Sequence, residues 1–374
     1  MKKVHITLLG KETLPAYYPI RMLQPDCVYI IGTDGNKTQT NNLKNVIDSE
    51  HHECKICEAS AYDIAQTQKV IEQIYDSLSD EDETTINITG GTKTMAIAAY
   101  NVGIAHQSDI VYTDSKNLIY VKNNQTIPLD CELTNELIFA LQGQKLKSWI
   151  PLKERDKKTV EDSLAIQEFI STHHDVYQKL QGENMKQKKG APILRNISLE
   201  NVRCQFDGKV LTVSKRGETI LKIENERADS LLLAGRWWEV LVADALAKWS
   251  NGRYEIWQDV VFNPVKQTNS KYDKNEVDIL VRIGTTLIFV ECKSGFFDQN
   301  NIYKLDSVRS TYGSVKSKAI LVSYYPFNFD LLEKASDKFV KIVYYNNKLN
   351  PGIKQFLSFF ANKVDQMIHS NSLT

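Results

Sequence analysis

A chain of 374 residues, 42% of them hydrophobic, exceeds what one ordinary core accommodates and is expected to fold as two domains. Its 46 basic and 46 acidic residues balance, so no global basic surface draws nucleic acid and any polyanion must be held by a local groove. No apolar run reaches membrane-spanning length, Lys11-Glu12 interrupts the short run after Met1-Lys2-Lys3, and the six cysteines are scattered; the expectation is a reduced, soluble, cytoplasmic protein with no membrane partner.

Residues 1–141 alternate strand and helix patterns, the plan of a doubly wound, Rossmann-like α/β domain. Candidate strands lie at 4–9, 27–31, 54–58, 85–88 and 109–112. Asp63 and Gln66 make a capping-box pattern ahead of the stripe Val70, Ile71, Ile74, Tyr75 and Leu78, and the acidic run 80–83 reads as a solvated turn. A hairpin over 117–128 turning at Asn123-Asn124, then a helix over 134–141, complete the domain. Cys54-Lys55-Ile56-Cys57 behind His51-His52 is zinc-like in letters only, because residues three apart on a strand point to opposite faces.

Three polar, glycine-containing loops follow successive strands: Gly10-Lys11-Glu12-Thr13, then 32–38 with Thr33, then Thr89-Gly90-Gly91-Thr92-Lys93-Thr94. Ligands of open α/β sheets bind beyond the carboxyl ends of the strands. The third loop enters a helix over 95–106, whose free backbone N–H groups, with the Thr92 hydroxyl and Lys93 ammonium, can cradle phosphate. It is neither a Walker A loop nor GxGxxG. Turn chemistry accounts for any one such loop, whereas three at one sheet edge favour an anionic ligand.

From 142 to 226 the patterning weakens into a connector: a helix near 160–180, a polar lysine-bearing run over 182–190 that reads as a solvated loop, and short strands between 202 and 223. Residues 227–374 form a second α/β domain. Helical patterning covers 228–249, followed by a strand at 255–262, a hairpin over 276–293, a helix near 302–309 and strands at 319–323 and 340–345.

That hairpin carries the densest chemistry. With Gly284-Thr285 as a two-residue turn, Asp278 faces Glu291 and Glu276 faces Lys293. Opposed side chains have Cβ atoms ~4.5 to 5.5 Å apart, close enough for two carboxylates to share a divalent cation. Alternation puts Val277, Ile279, Val281 and Ile283 with Ile288, Val290 and Cys292 on a packing face, and Asp278, Glu291 and Lys293 on the other. Glu53-Cys54-Lys55 repeats the last three letters without an apolar strand before it, so context carries the signal. Leu232, Gly235, Glu239, Val242 and Leu246 recur at helical spacing, and a lone carboxylate inside that stripe is costly unless a shared metal compensates it. The plainer reading is a solvated hairpin with cross-strand ion pairs and a Glu239 head that escapes to solvent.

The helix acid, the strand Asp and Glu291-Cys292-Lys293 resemble the PD-(D/E)xK nuclease superfamily, from about Arg227 to the end, with Val277 where the superfamily name has Pro. The resemblance implies a restriction-endonuclease-like domain in which Asp278, Glu291, Glu239 and the Cys292 backbone carbonyl hold Mn²⁺ or Mg²⁺. Lys293 would orient or help activate the attacking water. Glu276, opposite Lys293 in the register, is either a further ligand or the ion-pair partner of that lysine, the pairing being the preferred role. Asn87-Ile88-Thr89-Gly90-Gly91-Thr92-Lys93-Thr94-Met95 on a Rossmann-like domain resembles the CARF domains of CRISPR-associated proteins, whose ligand is cyclic oligoadenylate.

Together the two resemblances imply an ancillary nuclease of type III CRISPR antiviral defence, acting as a homodimer with cyclic tetra-adenylate as allosteric activator. The ring would contact Gly10, Lys11, Glu12, Thr13, Thr33, Gly90, Gly91, Thr92, Lys93, Thr94 and Met95. With no base-reading motif in view, the expected substrates are single-stranded RNA and DNA, with nicking of duplex DNA. One alternative is a constitutive DNA-repair or restriction-type endonuclease whose N-terminal domain only dimerises. Another is a nucleotide-sensing regulator with a decayed nuclease fold, against which the intact Asp278, Glu291 and Lys293 argue.

Overall fold

The computed structural model describes residues 1–114, 116–131, 133–152, 156–186, 193, 195–263, 275–283, 286–313, 317–346 and 348–369. The chain divides into two compact units, the first built mainly on residues 1–146 and the second beginning at Lys147. Among the described residues no helix is long and apolar enough to cross a membrane.

The first unit runs β1 (Lys3–Leu8), α1 (Leu14–Leu23), β2 (Cys27–Gly32), α2 (Lys37–Ser49), β3 (Glu53–Glu58), α3 (Ile64–Tyr75), β4 (Glu83–Asn87), α4 (Lys93–Ala105), β5 (Asp109–Thr113), β6 (Asn117–Tyr120), β7 (Gln125–Pro128) and α5 (Asn135–Leu141). Its sheet has the order β3-β2-β1-β4-β5-β6-β7, parallel through β5 and closed by an antiparallel hairpin. Central parallel strands are covered on both faces and therefore read as unbroken apolar runs; all six residues of β2 are buried. The hairpin turns where expected, with Asn124 at φ 56°. Only half of the expected capping box forms. Asp63 accepts from the Gln66 N–H at 3.0 Å, but the Gln66 amide oxygen accepts from the Ser60 N–H instead.

The second unit runs β8 (Leu146–Pro151), α6 (Lys157–Thr172), α7 (His174–Met185), β9 (Asn196–Leu199), β10 (Val202–Phe206), β11 (Val210–Lys215), β12 (Glu218–Glu224), α8 (Ala228–Leu233), α9 (Arg236–Ser250), β13 (Glu255–Phe262), β14 (Glu276–Ile283), β15 (Thr286–Lys293), α10 (Gln299–Tyr312), β16 (Lys318–Ser323), α11 (Asp330–Asp337), β17 (Val340–Tyr344) and α12 (Ile353–His369). A four-stranded antiparallel sheet, β12-β11-β10-β9, accompanies a six-stranded mixed sheet, β17-β16-β15-β14-β13-β8. Two helices read as continuous are each broken. His173 separates α6 from α7, and Gly235, at φ 77°, separates α8 from α9. The stretch expected as a connector adds Phe169, Leu180, Val202 and Leu211 to the same core as Trp238, Val290 and Phe360. The end of the lysine-bearing run, 187–190, lies outside the described residues.

Candidate functional site

β15 is the pivot of the mixed sheet, antiparallel to β14 and parallel to β16. Its ladder with β14 pairs Ile283 with Thr286 and runs to Ile279 with Val290, which is the register expected, although the Gly284-Thr285 turn itself lies outside the described residues. Asp278 and Glu291 come next, where the two strands fork. The Asp278 Oδ2 accepts the Cys292 N–H at 2.6 Å, fixing that carboxylate against β15. Glu291 is 4% exposed, and its Oε1 lies 2.6 Å from the Lys293 Nζ.

The expected division into a packing face and a chemical face holds only at this fork. Leu280, Leu287 and Phe289, on the Asp278 side by alternation, are fully buried, and Phe262 lies between Phe289 and Tyr312 of α10. Glu276 does not pair with Lys293. The ladder has ended before it, β13 holds its backbone opposite Val261, and its carboxylate meets Lys304 of α10 at 3.3 Å.

Glu239 reaches the fork from the first turn of α9. Gly235 makes that approach possible. Its φ is one that L side chains rarely adopt, and a Cβ there would collide with the Ser294 hydroxyl, one residue past Lys293. Trp238 then anchors the turn, donating its indole N–H to the Val322 carbonyl at 2.9 Å.

The electrostatics are those of crowded acids. Burial, then the Glu291 and Glu239 charges, push the Asp278 carboxyl well above its usual range. Burial raises Glu239 to about 7, against the pull of Arg236 and with the push of Asp259 and Glu291. For Lys293, burial favours the neutral amine, but Glu291 and Asp278 outweigh it and leave the ammonium firmer than usual. Burial, then Asp278, raises the Cys292 thiol, which is no nucleophile in this state.

Two further residues join this cluster that sequence patterning passed over. The β13–β14 ladder pairs Gln258 with Ile279 and Val260 with Val277, so Asp259 stands across from Asp278, at φ 48°. Arg236 bridges it to the helix, with Nη2 2.8 Å from Asp259 Oδ1 and Nε 3.8 Å from Glu239 Oε2. The available signal was an Asp, next to Gln258, between the apolar pair Ile256-Trp257 and the apolar run Val260-Val261-Phe262.

Among the described residues no three His, Cys, Asp or Glu side chains are gathered as they lie to hold a metal ion. Their charge nonetheless fits one. Asp278, Glu239 and Glu291 share the Lys293 ammonium and an Arg236 guanidinium that Asp259 also holds, and a divalent cation among their oxygens would offset the burial and the mutual repulsion that raise the first two.

In the first unit the three loops meet at the carboxyl ends of β1, β2 and β4. A Cβ on Gly90 would collide with the Leu8 carbonyl, and one on Gly10 would lie 3.3 Å from the Gly91 nitrogen, so these glycines let two loop backbones touch. Several hydroxyls expected to face a ligand are engaged internally. Thr92 caps α4 through the Met95 N–H and donates to the Ala61 carbonyl, Thr94 donates to the same carbonyl at 2.8 Å, and Thr13 donates to the Leu141 carbonyl at 3.0 Å. Met95 is fully buried under Gly91, so its side chain is withdrawn from any ligand.

Lys11 and Lys93 are exposed, while Glu12 and Thr33 are partly so. Buried Asn36 and Asn87, unforeseen from sequence, knit the loops. Asn36 donates to the Leu9 carbonyl at 2.7 Å, and Asn87 donates to the Pro15 carbonyl at 3.1 Å while accepting from Thr89. A cavity of about 740 Å³ opens at the opposite ends of the same strands, but Asp76, Asp80, Asp82 and Asp109 on its wall disfavour an anion.

Residues 4–137 match the family model described as the Card1 CARF domain, and residues 225–360 match that of the Card1-like endonuclease domain. No curated protein matches the chain significantly. Among solved structures, Can2 from Sulfobacillus thermosulfidooxidans, in complex with cyclic tetra-adenylate, is 20% identical with a TM-score of 0.73, over 98% of this chain and 100% of that one. VC1899 from Vibrio cholerae is 15% identical with a TM-score of 0.71, over 97% of each chain. A type III CRISPR defence DNA nuclease activated by cyclic oligoadenylate is 15% identical with a TM-score of 0.56, over 86% of this chain and 45% of its own. At such identities the likeness is one of fold.

Proposed function

We propose that this chain, which joins a Card1 CARF domain to a Card1-like endonuclease domain, is a metal-dependent nuclease of type III CRISPR defence, switched on by cyclic tetra-adenylate. Its substrates in this reading are single-stranded RNA and DNA, cut with little sequence preference. The observation that carries the reading is the fork of β14 and β15, where Asp278, Glu291 and Lys293 converge with Glu239. Asp278, Glu291, Glu239 and the Cys292 carbonyl are the proposed holders of Mn²⁺ or Mg²⁺. Such an ion supplies Lewis acidity toward a phosphate oxygen and a reactive water at neutral pH. With no ion bound, Glu291 and Asp278 hold the Lys293 ammonium against its burial; beside the ion Lys293 is the proposed group that orients the attacking water and offsets charge gathering on the phosphate.

The ligand loops support the regulatory half. Exposed Lys11 and Lys93 and the backbone of the Gly90-Gly91 turn offer cations and amides to phosphates at the start of α4. Ile97, Tyr100 and Ile104 form an exposed apolar stripe along that same helix. An isologous contact along α4 would bring two copies of the loop to one twofold axis, which suits a homodimer around a two-fold symmetric ring. Activation then requires the ring to bind the cleaving state more tightly than the resting one.

A four-way assay with Mn²⁺, crossing activator with strand type, tests the reading. Cleavage is expected to rise steeply with cyclic tetra-adenylate, and Glu291→Ala or Lys293→Ala to abolish it while ring binding persists. Equal cleavage with and without the ring would leave a constitutive nuclease, and a fully active Glu291→Ala chain would remove the site.

A further inference from the structure

Just past the fork, Lys293-Ser294-Gly295 leads to Phe296, whose side chain is 88% exposed. Its ring lies nearly parallel to that of Tyr325, with centroids 6.2 Å apart and planes 19° apart. Tyr325 is held from behind: it stands edge-on to Tyr324 at 4.9 Å and to His174 at 5.7 Å, and Tyr324 in turn stands edge-on to Trp237 at 4.8 Å. Because β15 and β16 are parallel and Lys293 pairs with Ser323, Phe296 and Tyr325 leave the sheet at the same edge from neighbouring strands. Three residues of chain span at most about 11 Å, so the Phe296 backbone lies within that reach of Lys293. Folding gains little from a ring so open to water, and a polar residue there would sacrifice no core contact.

We infer that Phe296, backed by Tyr325, stacks on a base of the single-stranded substrate one or two nucleotides from the cleaved phosphate, and so selects strand type. The inference rests on the nuclease reading above. Every unpaired base offers a π-face to an aromatic ring, which makes stacking indifferent to sequence. Bases within a duplex are already stacked and must be unpaired before a ring can take them. One exposed ring therefore combines tolerance of sequence with discrimination of strand form. The ladder of Tyr324 and Trp237 behind Tyr325 keeps its plane fixed, so little freedom is lost on binding.

Two measurements decide it. For cleavage of single strands in the presence of activator and Mn²⁺, Phe296→Ala should raise KM about 5- to 150-fold with a smaller effect on kcat, and Phe296→Trp should restore it. For binding, an oligodeoxythymidine with one internal 2-aminopurine is added to the Glu291→Ala chain, which leaves the strand intact. Its emission should be quenched, the quenching lost in Glu291→Ala/Phe296→Ala and regained in Glu291→Ala/Phe296→Trp. Unchanged KM together with unchanged emission would overturn the inference, with thermal melts of each variant confirming that the fold is kept. A wild-type chain that cuts nothing defeats the nuclease reading instead, while the emission arm still decides whether Phe296 stacks.

Discussion

Glu239 shows what a crowded carboxylate costs the fold. Its pKa in the folded chain is about 7 against 4.5 for the free side chain, so between these values the folded form holds a proton that the unfolded form has released. Stability therefore falls as pH rises from about 4.5 to about 7 and stays lowered above that. Glu239→Gln is expected to match the wild type near pH 4.5 and to exceed it by roughly 1 to 3 kcal/mol at pH 8, measured by urea denaturation. Adding Mn²⁺ at pH 8 should narrow that gap by stabilising the wild type, and a gap independent of pH would contradict this account. Asp278, Glu291 and Lys293 could be picked from the sequence because alternation gathers them on one face of a hairpin, and Glu239 because it interrupts an apolar stripe. Asp259 and Arg236 escaped because their partnership depends on a left-handed residue in mid-strand, which no period announces. Glu276 was misassigned for a related reason. Register alone says which residues face each other, not where the two strands part.

At the scale of elements, the strands were the most legible part, since β1, β2, β4, β13, β14 and β15 are runs or alternations with sharp polar ends. The break between α8 and α9 was hidden because the apolar stripe of Leu232, Val242 and Leu246 keeps its phase across Gly235. Edge strand β8 was missed for lack of alternation, and α12 went unassigned although Phe356, Phe360 and Val364 mark one buried face. Gly235 allows a direct test. Gly235→Ala must take a left-handed φ and crowd Ser294, so a loss of about 1 to 3 kcal/mol is expected, with a larger fractional fall in kcat as Glu239 is displaced. Gly182, in α7 with open space around it, is the control: Gly182→Ala should be neutral or stabilising by up to about 1 kcal/mol in the same denaturation series.

For the whole molecule, the sequence announced two α/β bodies, and it under-read residues 142–226 because their strands are short and half-exposed. Phe169, Leu180, Val202 and Leu211 from this stretch join the larger core, which explains how a stretch with weak patterning still folds. If the proposed homodimer forms along α4, Ile97→Asp with Tyr100→Asp should halve the mass seen by light scattering while the chain stays folded, because both side chains are exposed. Helix α4 starts in the glycine turn and bears the Ile97, Tyr100 and Ile104 stripe along its flank, so in the proposed homodimer subunit association and capture of the messenger would share one rigid rod. Mass action then ties them together: diluting the protein would make the switch look insensitive to its signal, and its sensitivity in a cell would follow how much of the protein that cell makes.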